Sequence, residues 1–436
     1  MATTYLTRTL GTPTSQKIFT FSTWLKKCLQ DDAGTQHIFD SFSSADNRLV
    51  IYFQGSSTDT FAIYNRSGGS ETMYMNTNKK FRDTNGWYHI YIAVDTTQST
   101  ASDRVKFYIN GEQVTSWETS NYPAQNSNIN IVSGYTNYIG RYGGGTNYFN
   151  GCMSHYYYVD GSVIDIAQFG STDSTTGEWK INTNPTIASY GNQGFLILKD
   201  DNTITDQSPN SNNFTLSGGT LTKTEDCPSN VFATYNPLFH ACGNLNFYNG
   251  NTLIEGTGSN TWTNRWAVST LGMTGGKFYC EVEVDNDSGG NLYPLGFIQD
   301  IDDTAITTSL GGQSNGWGVY ADNGQIYHNG SVLETVGAIT DGDIVACALD
   351  TENGTAQFYL NGSTYGSQIT SLSTTSVYHF MSNFYGNGNT LKANFGNGYF
   401  GTTAISSEGT NASGIGKFEY DVPTGFTALS TKGLNE

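Results

Sequence analysis

Short runs in which apolar and polar residues alternate, or in which apolar residues follow one another, recur along most of the chain. Within the first 160 residues these runs are IFTFSTWLKK, HIFDSF, RLVIYF, TFAIYN, WYHIYIAVD, NINIV, NYIGRY and YFNGCMSHYYYVDG. A period of two residues places alternate side chains on opposite faces of a β-strand, whereas an amphipathic helix repeats every 3.6 residues. Hardly any stretch has the helical period, so the pattern predicts an antiparallel β-sandwich.

One strand-and-turn phrase occurs once in each half of the chain. Residues 106–114 read KFYINGEQV and residues 357–365 read QFYLNGSTY. Each copy follows an apolar strand that ends in aspartate, WYHIYIAVD at 87–95 and DIVACALD at 343–350. Because Asn-Gly tolerates the two positive φ angles of a type I′ turn, each phrase predicts a tight hairpin. The matching context favours two β domains in tandem over chance recurrence of a common hairpin.

A second series of strand-like runs begins near Asn244. It comprises GKFYCEVEV, YPLGFIQ, NGWGVYADNGQIYHNG, GDIVACALDTENGTAQFYLNG, VYHFMSNF and LKANFG. The intervening residues 165–240 are richer in turns, and GFLILKDD within them predicts one more strand that packs on the first sandwich. We therefore predict an all-β chain of two tandem antiparallel β-sandwiches. The first domain with its trailing segment takes residues 1–220, a linker takes 221–243, and the second domain with a closing segment takes 244–436.

The order of these runs resembles two known families. FTFSTWLKK, WYHIYIAVD, VKFYINGEQV, YIGRY and YFNGCMSHYYYVDG resemble a laminin-G-like, concanavalin A-like jelly roll over about residues 1–165. The second series, above all GDIVACALDTENGTAQFYLNG, resembles a SPRY domain over about residues 244–401. Both families share the strand and hairpin phrase, so the resemblance implies that the repeated phrase is sandwich scaffold and not an active site.

The two ends of the chain, MATTYLTRTLGTPTSQKIFTFSTWLKK and GKFEYDVPTGFTALSTKGLNE, resemble a group of structural proteins from tailed bacteriophages, especially marine ones. In that group a laminin-G-like half and a SPRY-like half occur together. The resemblance implies a non-enzymatic virion structural protein, made in the host cytoplasm and exposed on the particle surface. Expected partners are other capsid or tail proteins, further copies of the chain in a homo-oligomer, and a host-surface glycan. A tail fibre or spike and a capsid decoration or appendage both stay open.

Charge and hydropathy exclude two classes of partner. The formal net charge is −18 over 436 residues, and no cluster of lysine and arginine counters it, so nucleic-acid binding is not expected. No apolar run approaches the roughly 20 residues that span a bilayer, so membrane insertion is not expected either. The N-terminus lacks a basic and then apolar signal peptide, which predicts synthesis without conventional secretion.

The six cysteines, at positions 28, 152, 227, 242, 280 and 347, show no CxxC spacing. Cys280 and Cys347 lie within apolar strand-like runs and are predicted to be small buried side chains. Pairing of Cys227 with Cys242 stays open.

Paired carboxylates are the first chemistry to test, because concanavalin-like sandwiches include glucanases. Glu281, Glu283 and Asp285 alternate along one strand and therefore point to one face. Retaining glycosidases need two carboxyl groups about 5 Å apart. The stretch lies in the SPRY-like half, where such a strand is ordinary scaffold, so a solvated or salt-bridged sheet face is the favoured interpretation and catalysis the alternative.

Other catalytic patterns find no support in the sequence. The six histidines, at 37, 89, 155, 240, 328 and 379, are scattered, and HExxH does not occur. The GxSxG match GQSNG at 312–316 precedes a strand-like run and lacks the strand-to-helix turn of a nucleophile elbow. The glycine run at 143–145 lacks the lysine and the helix of a phosphate-binding loop. We expect that the chain is not an enzyme. The alternatives are a concanavalin-like glycan hydrolase and a cellular lectin or adhesin.

No cofactor is expected, with calcium as the one possibility. Asp95, Asp103 and Asp160 lie at predicted strand ends, where some laminin-G-like domains hold Ca²⁺ through carboxylates and backbone carbonyls. The simpler interpretation is that these aspartates form turns.

Binding through aromatic residues near loop ends is the best supported activity. Sugar rings stack on aromatic faces, while amide, carboxylate and guanidinium groups bind their hydroxyls. The candidate residues are Tyr135, Tyr138, Arg141, Tyr142, Asn147 and Tyr148 in the first half, and Trp262, Asn264 and Trp266 in the second. The competing interpretation is packing or protein contact, because tyrosine is common in strands.

Overall fold

A computed structural model describes residues 3–28, 34–55, 58–200, 203–287, 290–301, 306 and 308–435. It is all-β, as predicted, with only short 3₁₀ turns beside the strands. The chain divides into two compact units, Met1–Lys223 and Thr224–Glu436. No helix in the described ranges has the length and apolar character of a membrane-spanning segment.

The first unit contains sixteen strands in its described part. They are β1 (Leu6–Thr9), β2 (Ile18–Lys27), β3 (Gln36–Ser44), β4 (Asn47–Phe53), β5 (Phe61–Ser67), β6 (Ser70–Thr77), β7 (Tyr88–Asp95), β8 (Val105–Ile109), β9 (Glu112–Gln113), β10 (Trp117–Asn121), β11 (Thr136–Ile139), β12 (Gly151–Asp160), β13 (Gly170–Thr172), β14 (Trp179–Ile181), β15 (Phe195–Ile197) and β16 (Thr215–Leu216). Short 3₁₀ turns occur at Ala101–Asp103 and Ile166–Gln168.

Two stacked sheets form this unit. The eight-stranded sheet has the order β10-β6-β5-β4-β3-β11-β1-β16, and the six-stranded sheet has the order β15-β12-β2-β7-β8-β9. A single cluster of buried side chains fills the space between them and includes Phe21, Phe39, Ile51, Met75 and Ile92. Every second residue of a strand therefore points into this core, which fits the period read from the sequence.

The trailing segment of the first unit covers the second face of the six-stranded sheet. Nine of the ten residues of β2 are buried, because its outer side chains are also shielded. Phe169 and Leu196 pack there against Tyr91 and Tyr157 in a second apolar cluster. The predicted strand GFLILKDD contributes β15, which pairs with β12.

The second unit also contains sixteen strands in its described part. They are β17 (Leu245–Tyr248), β18 (Leu253–Gly256), β19 (Trp266–Val268), β20 (Lys277–Asn286), β21 (Leu292–Gln299), β22 (Gly316–Tyr320), β23 (Gln325–His328), β24 (Ser331–Thr335), β25 (Ile344–Asp350), β26 (Thr355–Leu360), β27 (Ser363–Ile369), β28 (Tyr378–Phe384), β29 (Thr390–Asn394), β30 (Tyr399–Phe400), β31 (Thr403–Ala404) and β32 (Thr427–Ala428). Short 3₁₀ turns occur at His240–Cys242, Leu310–Gly312 and Gly433–Asn435.

These strands again form two sheets. One has the order β17-β18-β29-β20-β25-β26-β27, with β32 parallel to the start of β20, and the other has the order β19-β28-β21-β22-β23-β24. Phe297 of the second sheet stacks on Phe358 of the first, with ring centroids 6.1 Å apart. Cys280 and Cys347 are opposite each other on β20 and β25 and are fully buried, as predicted. None of the six cysteines, all of which lie in the described ranges, is in a disulfide.

The repeated phrase forms the same turn in both units. Asn110 and Gly111 have φ angles of +49° and +78°, and Asn361 and Gly362 have φ angles of +48° and +77°. In each copy the asparagine oxygen also accepts a backbone N–H from the upstream strand, that of His89 in one unit and that of Ile344 in the other. This hydrogen bond explains why the upstream strand and the hairpin recur together.

The segment predicted as a linker differs from that expectation. From Thr224 onward it belongs to the second unit. Phe232 and Tyr235 within it are each 1% exposed, and the backbone N–H of Ala233 donates to the carbonyl of Leu429. Because large aromatic side chains gain most when they leave water, these residues anchor the segment to the second sandwich.

A buried histidine ties the trailing segment to the first sandwich. His89 is fully buried, stacks on Trp24, and accepts the indole N–H of Trp179 at Nδ1 (3.0 Å). Its Nε2 lies 2.9 Å from the hydroxyl of Ser22. The ring is therefore a packed neutral imidazole, and burial lowers its pKa to about 3.

This histidine predicts a loss of stability in acid. Since the folded-state pKa lies below the ordinary value, the contribution of His89 is complete above about pH 6.5 and is lost as the pH falls toward about 3. We expect the stability difference between the wild type and His89→Gln to shrink by up to about 2 kcal/mol between pH 7 and pH 5. Urea unfolding of the full chain at both pH values measures it, and a difference that does not change with pH would contradict the prediction.

Candidate functional site

The outer face of the eight-stranded sheet carries the polar and aromatic side chains that alternate with the core. On β4, Leu49 and Ile51 point into the core, while Arg48 and Tyr52 point outward. The outward positions of β4 are aligned with outward positions of the neighbouring strands, because Arg48 pairs with Phe42 of β3 and Val50 pairs with Tyr64 of β5. Aligned outward positions on neighbouring strands therefore bring distant residues into contact.

Eight side chains form a continuous row across this face, which we call the outer-face ladder. Its members, all half-buried, are Tyr5, Tyr138, Arg141, Phe42, Tyr142, Arg48, Tyr64 and Tyr74. The row passes over β1, β11, β3, β4, β5 and β6 in turn.

Arg141 organises one end of the ladder. Its guanidinium carbon lies 4.2 Å from the ring centroid of Tyr5, 5.3 Å from that of Tyr138 and 6.0 Å from that of Tyr148. Phe42 continues the row, with its ring centroid 6.4 Å from that of Tyr138. Cation–π contacts of this kind fix the guanidinium plane without neutralising its charge.

Arg48 links the middle of the ladder to its Tyr74 end. Its guanidinium carbon lies 5.6 Å from the ring centroid of Tyr142 and 5.5 Å from that of Tyr64. Tyr142 meets Phe42 edge to face at 5.5 Å, and Tyr64 meets Tyr74 in the same way at 5.7 Å. The ladder is therefore unbroken from the arginine at one end to Tyr74 at the other.

The loop at 140–150 lies on this face and is held by a buried carboxylate. Asp40 is fully buried, and its Oδ2 accepts the backbone N–H of Gly143 (2.8 Å). Its Oδ1 lies 2.7 Å from Nδ1 of His37, whose ring stacks on Tyr52 and contacts Tyr142. Asp40 and His37 thus position the loop that carries four of the predicted binding residues.

The same histidine links the loop to Thr35. Nε2 of His37 lies 3.1 Å from Oγ1 of Thr35, which also accepts the side-chain amide of Asn147 (2.7 Å). The backbone N–H of His37 donates to the carbonyl of Asn147 (3.3 Å). Thr35, His37 and Asp40 therefore form one hydrogen-bonded line, which the sequence analysis did not select.

A polar cleft of about 400 Å³ opens beside the Tyr74 end of the ladder. We call it the Tyr74 cleft. The described residues that line it are Gly34, Thr35, Gln54, Gly55, Thr58, Tyr74, Asn76, Glu118, Thr119 and Asn147.

The side chains in the Tyr74 cleft are held by one another. The amide of Gln54 donates to the hydroxyl of Tyr74 (2.6 Å), and the amide of Asn76 donates to Oε2 of Glu118 (3.0 Å). Asn76 is only 4% exposed, and its carbonyl oxygen has no hydrogen-bond partner within the described part of the chain. A buried acceptor without a donor is costly, so Asn76 marks a position that a ligand donor would satisfy.

The structure brings together five of the six predicted binding residues in the first half. Tyr138, Arg141, Tyr142 and Tyr148 lie in or beside the outer-face ladder, and Asn147 lines the Tyr74 cleft. The sixth residue, Tyr135, instead packs against the core of the first unit.

Two of the three predicted residues in the second half are not free to stack on a ligand. Trp266 is 0% exposed and belongs to an apolar cluster with Tyr293 and Met381, so its assignment to a surface site is wrong. Trp262 is half-buried and packs against Tyr293 and Tyr385, with ring centroids 5.5 and 5.4 Å away. Asn264 is exposed in a turn with a φ angle of +60°.

The three aspartates proposed for calcium have separate roles. Asp160 is buried, and its carboxylate accepts backbone N–H groups from Thr14, Ser15 and Gln193. Asp95 accepts from the turn that follows it, and Asp103 pairs with Lys106 at 3.4 Å. Within the described ranges no group of three or more acidic, histidine or cysteine side chains is placed to hold a metal ion. Calcium binding through aspartate carboxylates and backbone carbonyls stays a prediction.

The carboxylates of β20 do not form a catalytic pair. Glu283 and Asp285 share Lys392, at 3.0 and 2.5 Å, which fits the expected salt-bridged face. Glu281 departs from that expectation because it is fully buried. The closing segment of the chain covers this part of the sheet, and the backbone N–H groups of Glu419 and Tyr420 donate to the Glu281 carboxylate.

The ladder contains residues that sequence analysis did not select, namely Tyr5, Phe42, Arg48, Tyr64 and Tyr74. A signal existed for Arg48 and Tyr64, because each alternates with buried apolar neighbours in the predicted strands RLVIYF and TFAIYN. Phe42 ends the predicted strand HIFDSF, whereas Tyr5 and Tyr74 lie outside the predicted strands. The missing information was the register between strands, which decides that these outward positions form one row.

The fold is a tandem of two β-sandwich domains. Residues 2–162 match the family model described as the concanavalin A-like lectin/glucanases superfamily, and residues 277–398 match the SPRY domain. The chain therefore contains a concanavalin A-like domain followed by a SPRY domain. Domains of these kinds are typically binding or interaction modules. A search of curated proteins gave no match.

Solved structures resemble parts of the chain. The SPRY domain of human HERC1 is 21% identical over 36% of this chain and 96% of its own, with a TM-score of 0.30. The TRIM65 PSpry domain is 18% identical over 37% of this chain and 91% of its own, also with a TM-score of 0.30. A heptameric SAP-like pentraxin from Limulus polyphemus is 16% identical over 50% of this chain and 87% of its own, with a TM-score of 0.33.

Proposed function

We propose that the chain is a non-enzymatic structural protein of a tailed-phage virion, exposed on the particle surface, whose first unit binds glycan of the host envelope. The observation that carries the adhesive role is the outer-face ladder ending in the Tyr74 cleft, where the buried carbonyl of Asn76 lacks a donor. The resemblance of both chain ends to phage structural proteins supports the virion setting. The location on the particle, and further copies or other virion proteins as partners, belong to this proposal.

A glycan suits the cleft better than an apolar ligand. The lining supplies amide, hydroxyl and carboxylate groups around one tyrosine, and apolar side chains are absent from its described part. Sugars present hydroxyl donors in a fixed array, and a site built to pair them rejects ligands that leave its polar groups unsatisfied. The neighbouring aromatic rings offer the flat faces on which a sugar chain can lie.

Loss of Tyr74 should weaken glycan binding. We expect Tyr74→Ala to raise the Kd for a bound envelope polysaccharide about tenfold, since it removes the cleft's aromatic wall and the anchor of Gln54. An array of bacterial surface polysaccharides identifies the glycan, and titration of wild type and variant measures the change.

The control is Tyr248→Ala, which removes a half-buried tyrosine from the second unit. It should bind as the wild type does. If micromolar wild-type protein binds no envelope glycan in the array or on host cells, the adhesive role is wrong.

Ester hydrolysis is a second candidate function, favoured by the line from Thr35 through His37 to Asp40. This order of hydroxyl, imidazole and carboxylate is the order of a nucleophile, a general base and an orienting acid. The hydroxyl of Thr35 lines the Tyr74 cleft, so it would face a bound, acylated sugar. Release of acetate from O-acetylated polysaccharide by the wild type, and its loss in Thr35→Ala, would favour this second function.

A further inference from the structure

We propose that the ligand is an extended acidic glycan that lies across the strands along the outer-face ladder, with an acidic group at Arg141 and a donor-rich sugar in the Tyr74 cleft. This inference rests on the proposed glycan binding. It adds the direction of the ligand on the sheet, its minimum length and its charge.

Arg141 supplies the site for the acidic group. It is half-buried over three tyrosine rings, and among the described residues its one hydrogen bond runs from Nε to the carbonyl of Tyr142 (3.1 Å). No ion pair joins it to a carboxylate in the part of the chain that the structure describes. A held guanidinium with free terminal N–H groups is the preferred partner of a carboxylate or phosphate. In a chain of net charge −18, a cation without a carboxylate partner among the described residues offers a site for an acidic ligand.

The opposite end of the ladder has the opposite chemistry. Among the described residues that line the Tyr74 cleft, Glu118 is the one charged side chain. With the free carbonyl oxygen of Asn76, it favours hydroxyl or amide donors over an anion. We therefore expect the acidic group of the ligand at Arg141 and not in the cleft, which fixes the direction in which the ligand lies on the sheet.

The distance between the two ends requires a chain of several sugars. Tyr138 lies on β11 and Tyr74 on β6, which are four strand spacings apart in the sheet order. At about 4.8 Å for each spacing, Tyr138 and Tyr74 are about 19 Å apart, which is longer than a single sugar ring. Arg48, between Tyr142 and Tyr64, continues the surface over this distance and offers a second guanidinium on the way.

The experiment compares acidic polysaccharides with neutral forms of the same chains. Full-length protein is titrated with hyaluronan, heparosan and gellan, in which neutral sugars separate the acidic ones. Each is tested beside its carboxyl-reduced counterpart, and size-fractionated oligosaccharides of the best binder follow. We expect at least one acidic polymer to bind at least tenfold more tightly than its reduced form. Affinity should rise with length until the chain spans the ladder and should then level off.

Variants locate the effect on the sheet. Arg141→Gln should lose about tenfold in affinity for the acidic polymer and most of its salt dependence, while binding of the reduced polymer changes less than twofold. The matched control is Arg66→Gln, another outward arginine of the same sheet, which pairs with Asp46 at 3.4 Å. It should behave as the wild type, and Arg141→Lys, which keeps the charge, should recover part of the affinity.

Three results would overturn the inference. They are equal or tighter binding of every reduced polymer by the wild type, an affinity independent of length from the disaccharide upward, and unchanged acidic binding in a folded Arg141→Gln protein. Each leaves the proposed function standing if Tyr74→Ala still weakens binding. The absence of any glycan binding would instead reject the proposed function itself.

Discussion

Replacing Glu281 with alanine should lower the free energy of unfolding of the second unit by about 3 kcal/mol and release the closing segment from its sheet. The carboxylate is fully buried and accepts four hydrogen bonds. Two come from the backbone N–H groups of Glu419 and Tyr420, at 2.9 Å each, and two from the side chains of Asn394 and Tyr279, at 3.2 Å each. Alanine would leave these donors buried without an acceptor, and each such group costs about 1–3 kcal/mol unless water reaches it.

The pH dependence of this contact has a definite sign. Burial raises the pKa of Glu281 to about 7, although the hydrogen bonds from Glu419, Tyr420, Tyr279 and Asn394 oppose the shift. The folded state therefore binds a proton that the unfolded state releases between about pH 4.5 and pH 7. Stability from this group rises as the pH falls through that window, and Glu281→Ala should lack this component.

Glu283→Gln is the matched control, because it lies two residues along the same strand and pairs with partly exposed Lys392. A partly exposed ion pair contributes little, so its unfolding free energy should change by less than about 1 kcal/mol. Urea unfolding of the full chain measures stability, and hydrogen exchange at residues 406–423 reports release of the segment. Equal stability and equal protection in the Glu281 and Glu283 variants would show that the buried carboxylate does not hold the segment.

Glu281 also shows what a period-two pattern leaves undetermined. Alternation placed Glu281, Glu283 and Asp285 on one face, and the structure keeps them there. Whether that face meets water depends on what covers it, and here the cover comes from residues far along the chain, since Glu419 lies 138 positions from Glu281. Local sequence predicts the strand and which of its side chains share a face. It does not predict that a segment distant in sequence will pack on that face.

The same limit explains the aromatic residues. Trp266 and Tyr138 looked alike in sequence, each being an aromatic residue near a loop, yet one is fully buried and the other lies on the outer face. The repeated Asn-Gly turns, by contrast, follow from local φ preferences, and the structure contains both turns. Elements set by neighbouring residues could thus be predicted, whereas the outer-face ladder needed the register of six strands.

Replacing Asp40 with alanine should abolish most glycan binding, although it changes no residue that we propose to contact the ligand. Asp40 lies beneath the loop at 140–150 and is fully buried. Its two oxygens hold Gly143 of the loop and the ring of His37, which in turn contacts Tyr142. Loss of the carboxylate would leave the N–H of Gly143 and Nδ1 of His37 without this partner, at a cost of about 3 kcal/mol.

The larger consequence is for positioning, because Arg141, Tyr142, Asn147 and Tyr148 all depend on that loop. We expect Asp40→Ala to raise the Kd for glycan at least thirtyfold, more than any single ladder substitution, and to increase hydrogen exchange at 140–150. Asp46→Asn is the control, since Asp46 pairs with Arg66 beside the same sheet and is exposed. An Asp40→Ala protein that keeps its affinity and its loop protection would mean that the loop is held, and the glycan bound, by other contacts.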